Sequence, residues 1–134
     1  MQRCVGCTMF EKILIVDDSL AARLMIKQYL SAVGSDSAQF LECSNGKIGL
    51  DTLKETSVDL VVTDMNMPEM DGYSFIKRLK ASPRYNTIPI IIISSAANDD
   101  NKERFMDFGV NFVIGKPISP QVLYQALNTI KKEV

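Results

Sequence analysis

Leu60-Val61-Val62-Thr63-Asp64-Met65-Asn66-Met67-Pro68-Glu69-Met70-Asp71-Gly72 is the stretch that decides the fold. An apolar run ends abruptly in a carboxylate, and Pro68 and Asp71-Gly72 mark a turn directly after it. A short apolar run closed by turn residues reads as a buried strand. Asp64 then stands at the carboxyl end of that strand, where open α/β sheets place their ligands. Three other runs stop in the same manner. Ile13-Leu14-Ile15-Val16 meets Asp17-Asp18, Ile90-Ile91-Ile92-Ile93 meets Ser94-Ser95, and Phe112-Val113-Ile114 closes on Gly115-Lys116-Pro117. Three carboxylates, a hydroxyl and an ammonium thereby converge on one edge of one sheet.

Between these runs the apolar residues recur at helical spacing. Asp18 and Ser19 offer N-cap oxygens to a helix reaching about Val33, with Ala22, Met25, Ile26, Tyr29 and Val33 inward and Gly34 ending it. Phe40 to Cys43 is a short edge strand, and Asn45-Gly46 opens a second helix with Gly49, Leu50 and Leu53 inward. A third runs from Gly72 to about Ala81 on Phe75, Ile76 and Leu79 and stops before Pro83. A polar helix from about Asp99 to Phe108 ends at Gly109, and the last, Pro120 to about Lys132, buries Val122, Leu123, Ala126, Leu127 and Ile130. Strands alternating with helices five times over imply a parallel sheet covered on both faces.

One domain is the natural size for 134 residues. A formal charge of −1 without histidine argues against a nucleic-acid surface and excludes His-based triads or His-ligated metal. The sequence contains no membrane span and no signal-peptide core, so a cytoplasmic location is expected. Cys4 and Cys7 form a C-x-x-C that lacks a second pair or histidine for zinc and a preceding strand for redox work. Residues 1–10 are therefore expected to be a disordered extension, with 11–134 as the domain. Cys43 reads as a small core residue.

Carboxylates crowded at a sheet edge repel one another and are costly to bury unpaired. A divalent cation and the Lys116 ammonium are the two means of holding them ionised. All-oxygen ligation suits Mg²⁺ or Mn²⁺.

With Asp17-Asp18, Asp64 in Asp-Met-Asn-Met-Pro-Glu-Met-Asp-Gly, Ser94 and Lys116-Pro117 in this order, the chain from about Glu11 onward resembles the receiver domain of two-component response regulators. The single-domain chemotaxis regulators are the nearest in type, since no effector sequence follows. The resemblance implies a doubly wound, flavodoxin-like α/β fold with five helices and strand order 2-1-3-4-5. It also implies that Asp64 takes a phosphoryl group from a sensor histidine kinase or phosphotransfer protein. Asp18 and Asp64 would bind Mg²⁺ directly with the Asn66 carbonyl, and Asp17 through water. Ser94 and Lys116 would hold phosphoryl oxygens, and the Lys116-Pro117 bond would be cis. Such a domain assists its own phosphorylation and dephosphorylation but is not a turnover enzyme, and it is expected to present its 99–134 face to a downstream protein. Two departures stand out: Val113 occupies the usual aromatic position three residues before the lysine, and Ser95 is slightly larger than the usual alanine or glycine.

Two other functions compete. A Mg²⁺-dependent aspartyl-phosphate phosphatase would want an aspartate two residues after its nucleophile, where Asn66 stands. A receiver-like interaction module without phosphorylation is opposed by the intact set Asp17, Asp18, Asp64, Ser94 and Lys116.

Overall fold

The computed structural model describes residues 10–35, 37–95 and 99–133. Strands and helices alternate along them as β1 (Lys12–Val16), α1 (Leu20–Leu30), β2 (Gln39–Cys43), α2 (Gly46–Glu55), β3 (Leu60–Asp64), α3 (Gly72–Ala81), β4 (Ile90–Ser94), α4 (Asp99–Asp107), β5 (Phe112–Gly115) and α5 (Pro120–Glu133). All strand pairings are parallel, in the order β2-β1-β3-β4-β5. This is the doubly wound, flavodoxin-like α/β architecture expected from the sequence.

The uninterrupted apolar runs follow from burial on both faces of the sheet. Successive side chains alternate between the faces. Ile13, Ile15, Leu60, Val62, Ile91, Ile93 and Ile114 pack with α1 and α5, joined by Phe10. Leu14, Val16, Val61, Ile90, Ile92 and Val113 pack instead with α2 and α3, with Phe105 of α4 and Phe108 alongside. Phe112 belongs to the first face and Val113 to the second, as their adjacent positions require. Phe10, placed by sequence in the extension, is 7 % exposed and part of the core. The Cys4–Cys7 pair lies outside the described residues.

α1 departs from the expected inward face at Met25. Ile26 and Leu30 are the buried residues of α1, while Met25, expected inward, is 38 % exposed. The inward stripe runs through partly buried 22, 29 and 33 and buried 26 and 30, and position 25 falls at its margin. Gly34 does not end the helix, because a wider π-type turn continues it over Ser31–Ser35. Ser19 alone caps α1, accepting from the Ala22 N–H, so Asp18 is not a cap and its carboxylate is left for other work.

Behind β3 the chain closes tightly. The Thr63 hydroxyl donates to the Asp64 carbonyl, the Met65 N–H to the Asp64 carboxylate, and the Gly72 N–H to the Met65 carbonyl, all at 2.9 Å. Asp71 then caps α3 by accepting from the Ser74 N–H. Gly72 has no room for a side chain: a Cβ there would lie 2.2 Å from the Asp64 carbonyl oxygen and 2.9 Å from Met65 Cα. Both obstacles are backbone, so relief requires moving the β3 end itself. Gly72→Ala is accordingly expected to lower unfolding stability by about 3 kcal/mol, at the upper end of overpacking costs. Urea denaturation measures it, and a variant as stable as the parent would show that the loop relaxes freely.

Candidate functional site

Strand register alone assembles the site. Val16 pairs with Thr63, so the residues that follow, Asp17 and Asp64, leave the sheet side by side. Asp64 pairs with Ile93, and Ser94 is the next residue. Ser94 pairs with Gly115, and Lys116 is the next residue. Neighbouring parallel strands lie about 4.8 Å apart, close enough for all of these side chains to meet. Every residue that the sequence assigned to this edge is there.

Carboxylate oxygens of Asp17, Asp18 and Asp64 lie within 4.8 Å of one another. Asp17 and Asp64 are buried and Asp18 is exposed, which gives the cluster a dry floor and an open mouth. Lys116 Nζ lies 3.2 Å from Asp64 Oδ1, its ammonium reaching in from β5. The Lys116 N–H also donates to the Ser94 carbonyl at 3.0 Å, locking the ends of β4 and β5 together. The Lys116-Pro117 bond is cis. Ser94 is 2 % exposed, and Asn66 stands exposed on the loop after β3.

Electrostatics set the two buried acids apart. Burial pushes the Asp17 carboxyl above the usual carboxylate range; its bond from the Ser19 N–H opposes this, Asp64 reinforces it, Lys116 opposes it and Asp18 reinforces it. The Asp17 carboxyl thus carries a desolvation cost that its bond from the Ser19 N–H and the Lys116 charge do not fully offset. Asp64, by contrast, has the ammonium beside one oxygen and the Met65 N–H on it as well.

Two supporting contacts were not visible in the sequence. Arg23 donates to the Asp17 carbonyl at 2.5 Å and to Glu42 at 3.0 Å, tying the β1–α1 turn to the edge strand β2. Lys27 joins the same carboxylate at 3.0 Å, and these two cations hold the Glu42 carboxyl below its usual range. Asn45 caps α2 through its oxygen and donates from its amide nitrogen to Glu69 at 2.9 Å. Glu69 takes a left-handed φ of 64°, uncommon for a residue with a side chain. The loop bearing Asn66 is therefore clasped to the start of α2. No local sequence signal pairs these residues, since both contacts join segments distant in the chain.

Cavities flank the acid cluster on both faces of the sheet. One, about 430 Å³, lies beside Asp17 and Lys116 under Met25, Ile26 and Ile118. The other, about 390 Å³, lies beside Ser94 and Asn66 under Tyr73 and Arg104. The arrangement offers a small oxyanion three things: carboxylates for a hard cation, an ammonium, and a hydroxyl. Among the described residues no helix is long and apolar enough to cross a membrane.

Comparison with known proteins agrees with this geometry. Residues 13–128 match the family model for the response regulator receiver domain. A chemotaxis protein CheY homolog from Campylobacter jejuni is 37 % identical over 120 residues, covering 89 % of this chain and 91 % of its own. The chemotaxis protein CheY1 of Helicobacter pylori is 38 % identical over 122 residues, covering 89 % and 95 %. Among solved structures, chemotaxis response regulator CheY4 of Vibrio cholerae superposes with a TM-score of 0.76 at 25 % identity, covering 92 % and 98 %. A receiver domain of a signal transduction histidine kinase from Syntrophus aciditrophicus gives 0.79 at 31 % identity, covering 92 % of each chain. The chain belongs to the response regulator receiver domain family of two-component signalling, and its relatives place it with the chemotaxis regulators of CheY type.

Proposed function

We propose that this protein is a phosphoacceptor: Asp64 takes a phosphoryl group from a phosphohistidine donor, a sensor histidine kinase or phosphotransfer protein, and the phosphorylated form changes its affinity for a downstream protein. The observation that carries this reading is the Lys116 ammonium 3.2 Å from Asp64, inside a cluster of three carboxylates. In this reading residues 11–134 form the receiver unit, joined by the buried Phe10. A phosphohistidine is made at the expense of ATP, which is consistent with a cytoplasmic location.

The chemistry is a transfer of the phosphoryl group between two nucleophiles. An Asp64 oxygen attacks phosphorus while the bond from phosphorus to the donor's imidazole nitrogen breaks, and that nitrogen keeps the electron pair. A carboxylate is a competent nucleophile for such covalent steps. The protein's share is positioning and charge neutralisation. The ammonium of Lys116 faces one phosphoryl oxygen and the Ser94 hydroxyl another. The donor set fits Mg²⁺ or Mn²⁺: all oxygen, two buried acids and one exposed, with the Asp17 carboxyl raised chiefly by burial. Asp18, Asp64 and the Asn66 carbonyl would hold the ion, with Asp17 behind a water, and the ion would supply positive charge to the remaining phosphoryl oxygen. Asn66 carries no titratable proton, so the aspartyl-phosphate phosphatase alternative lacks its general acid. The non-phosphorylated module is disfavoured by the assembled site.

Three outcomes test this reading. With acetyl phosphate and Mg²⁺, intact-mass measurement should show one phosphoryl adduct on the parent protein and none on Asp64→Asn; an adduct retained by Asp64→Asn would move the acceptor elsewhere. The second concerns charge. A carboxyl whose folded pKa exceeds its unfolded value destabilises the fold most where it is ionised in both states, and that cost fades as pH falls through the folded value. Asp17→Asn should therefore unfold at higher urea than the parent at pH 7 in chelator, with the advantage narrowing as pH falls toward about 4, the ordinary carboxylate value. A constant advantage across that range would count against the raised carboxyl as its source. The third concerns output. Ser94→Ala should blunt phosphorylation-dependent partner binding, while Val113→Ala should largely preserve it, because a β-branched residue 8 % exposed cannot sweep between positions as a ring does. Loss of the response in a folded Val113→Ala would make position 113 a switch after all.

A further inference from the structure

The Ser94 side of the acid cluster opens into the cavity shared with Asn66, Asp71, Tyr73 and Arg104. Arg104 is the cation of that cavity, and it lies on the opposite face of the sheet from the cavity bordered by Lys116. Because α4 follows β4, its first turn lies at the carboxyl edge of the sheet, where the site is. Arg104 sits about 7.5 Å along the axis from Asp99, and helical side chains lean back toward the helix N-terminus. Arg104, in the last turn of α4, lines the same cavity as Ser94.

Among the described residues the Arg104 guanidinium has no hydrogen bond or ion pair. The nearby acid lining the same cavity, Asp71, is engaged as the α3 cap, accepting from the Ser74 N–H at 2.8 Å. The far end of α4 is held differently. Tyr73 at the start of α3 stacks on Phe108 with ring centroids 4.9 Å apart and planes 10° from parallel. The end of α4 is therefore pinned by an aromatic stack on Tyr73, and Arg104, one turn before Phe108, brings an unspent, fork-shaped donor to the cavity that Tyr73 also lines.

We propose that Arg104 reads the phosphoryl state of Asp64. When the oxyanion forms, the guanidinium closes over the Ser94 side of the site and draws the first turns of α4 with it. The inference rests on the phosphoacceptor reading and supplies the lever that Val113 does not provide. Arginine suits the task because its planar fork makes two charge-assisted bonds to phosphoryl oxygens and sheds water more readily than an ammonium. The conformational response can be no larger than the difference in how the two states bind that fork.

The test uses beryllofluoride with Mg²⁺ as the phosphoryl mimic on the full chain, with Arg104→Ala and Arg104→Lys. Calorimetry gives affinity, and hydrogen exchange over 99–107 gives the response of α4. The loss of a charge-assisted bond should weaken beryllofluoride binding about tenfold in Arg104→Ala. Arg104→Lys should recover part of that affinity, since charge returns without the fork. Protection of α4 gained by the parent on adding beryllofluoride should vanish in Arg104→Ala, and affinity for Mg²⁺ alone should not fall. Beryllofluoride affinity within about twofold of the parent, or Mg²⁺ affinity falling in step, would overturn the proposal. A parent protein that binds no beryllofluoride and gains no phosphoryl mass would instead overturn the phosphoacceptor reading, and this inference with it.

Discussion

The rest of the structure depends on keeping three carboxylates together at the edge of a sheet. Their oxygens lie within 4.8 Å of one another, with a single ammonium at hand. Such a cluster does not form by local preference, since every pair within it repels. It is imposed by strand register: once Val16 lies against Thr63 and Asp64 against Ile93, the acids have nowhere else to go. The packed cores on both faces of the sheet hold that register against the repulsion. Hydrophobic burial thus stores an electrostatic tension at the site, which a bound cation would relieve.

The sequence announced the parts that depend on runs and punctuation. Each buried strand is an unbroken apolar run stopped by a chemically distinctive residue, so the convergence of Asp17, Asp64, Ser94 and Lys116 on one sheet edge is legible in the sequence. The period of two along a strand likewise sends adjacent Phe112 and Val113 into opposite cores. What stayed hidden was tertiary. Nothing local says that Glu42 on an edge strand would meet Arg23 and Lys27 from α1, or that Asn45 would reach Glu69 across 24 residues. Met25 was misplaced for a related reason. It sits at the margin of the helical stripe, beside a cavity that it lines with Ile26 and Ile118, where helical spacing alone does not fix exposure.

The two faces of the site divide its labour. On the α1 and α5 side, Asp17 and Lys116 border one cavity and meet charge with charge. On the α3 and α4 side, Ser94 and Arg104 border another, with an exposed guanidinium on a helix of polar sequence. Polar helices with few buried contacts belong to the less stable parts of a fold, and these move when a site changes state. If Asp64 is the phosphoacceptor proposed above, chemistry and output would lie back to back across one strand edge.

The clasp between Asn45 and Glu69 has a consequence for α2, which contributes no residue to the acid cluster. One amide side chain both caps that helix and grips the loop carrying Asn66, so helix initiation and loop geometry share a single free-energy term. Coupling of this kind is reciprocal. Whatever rigidifies the Asn66 turn tightens the first turn of α2 by the same amount, and fraying of α2 loosens the turn in return. A helix remote from the chemistry thus acts as a thermodynamic gauge of it.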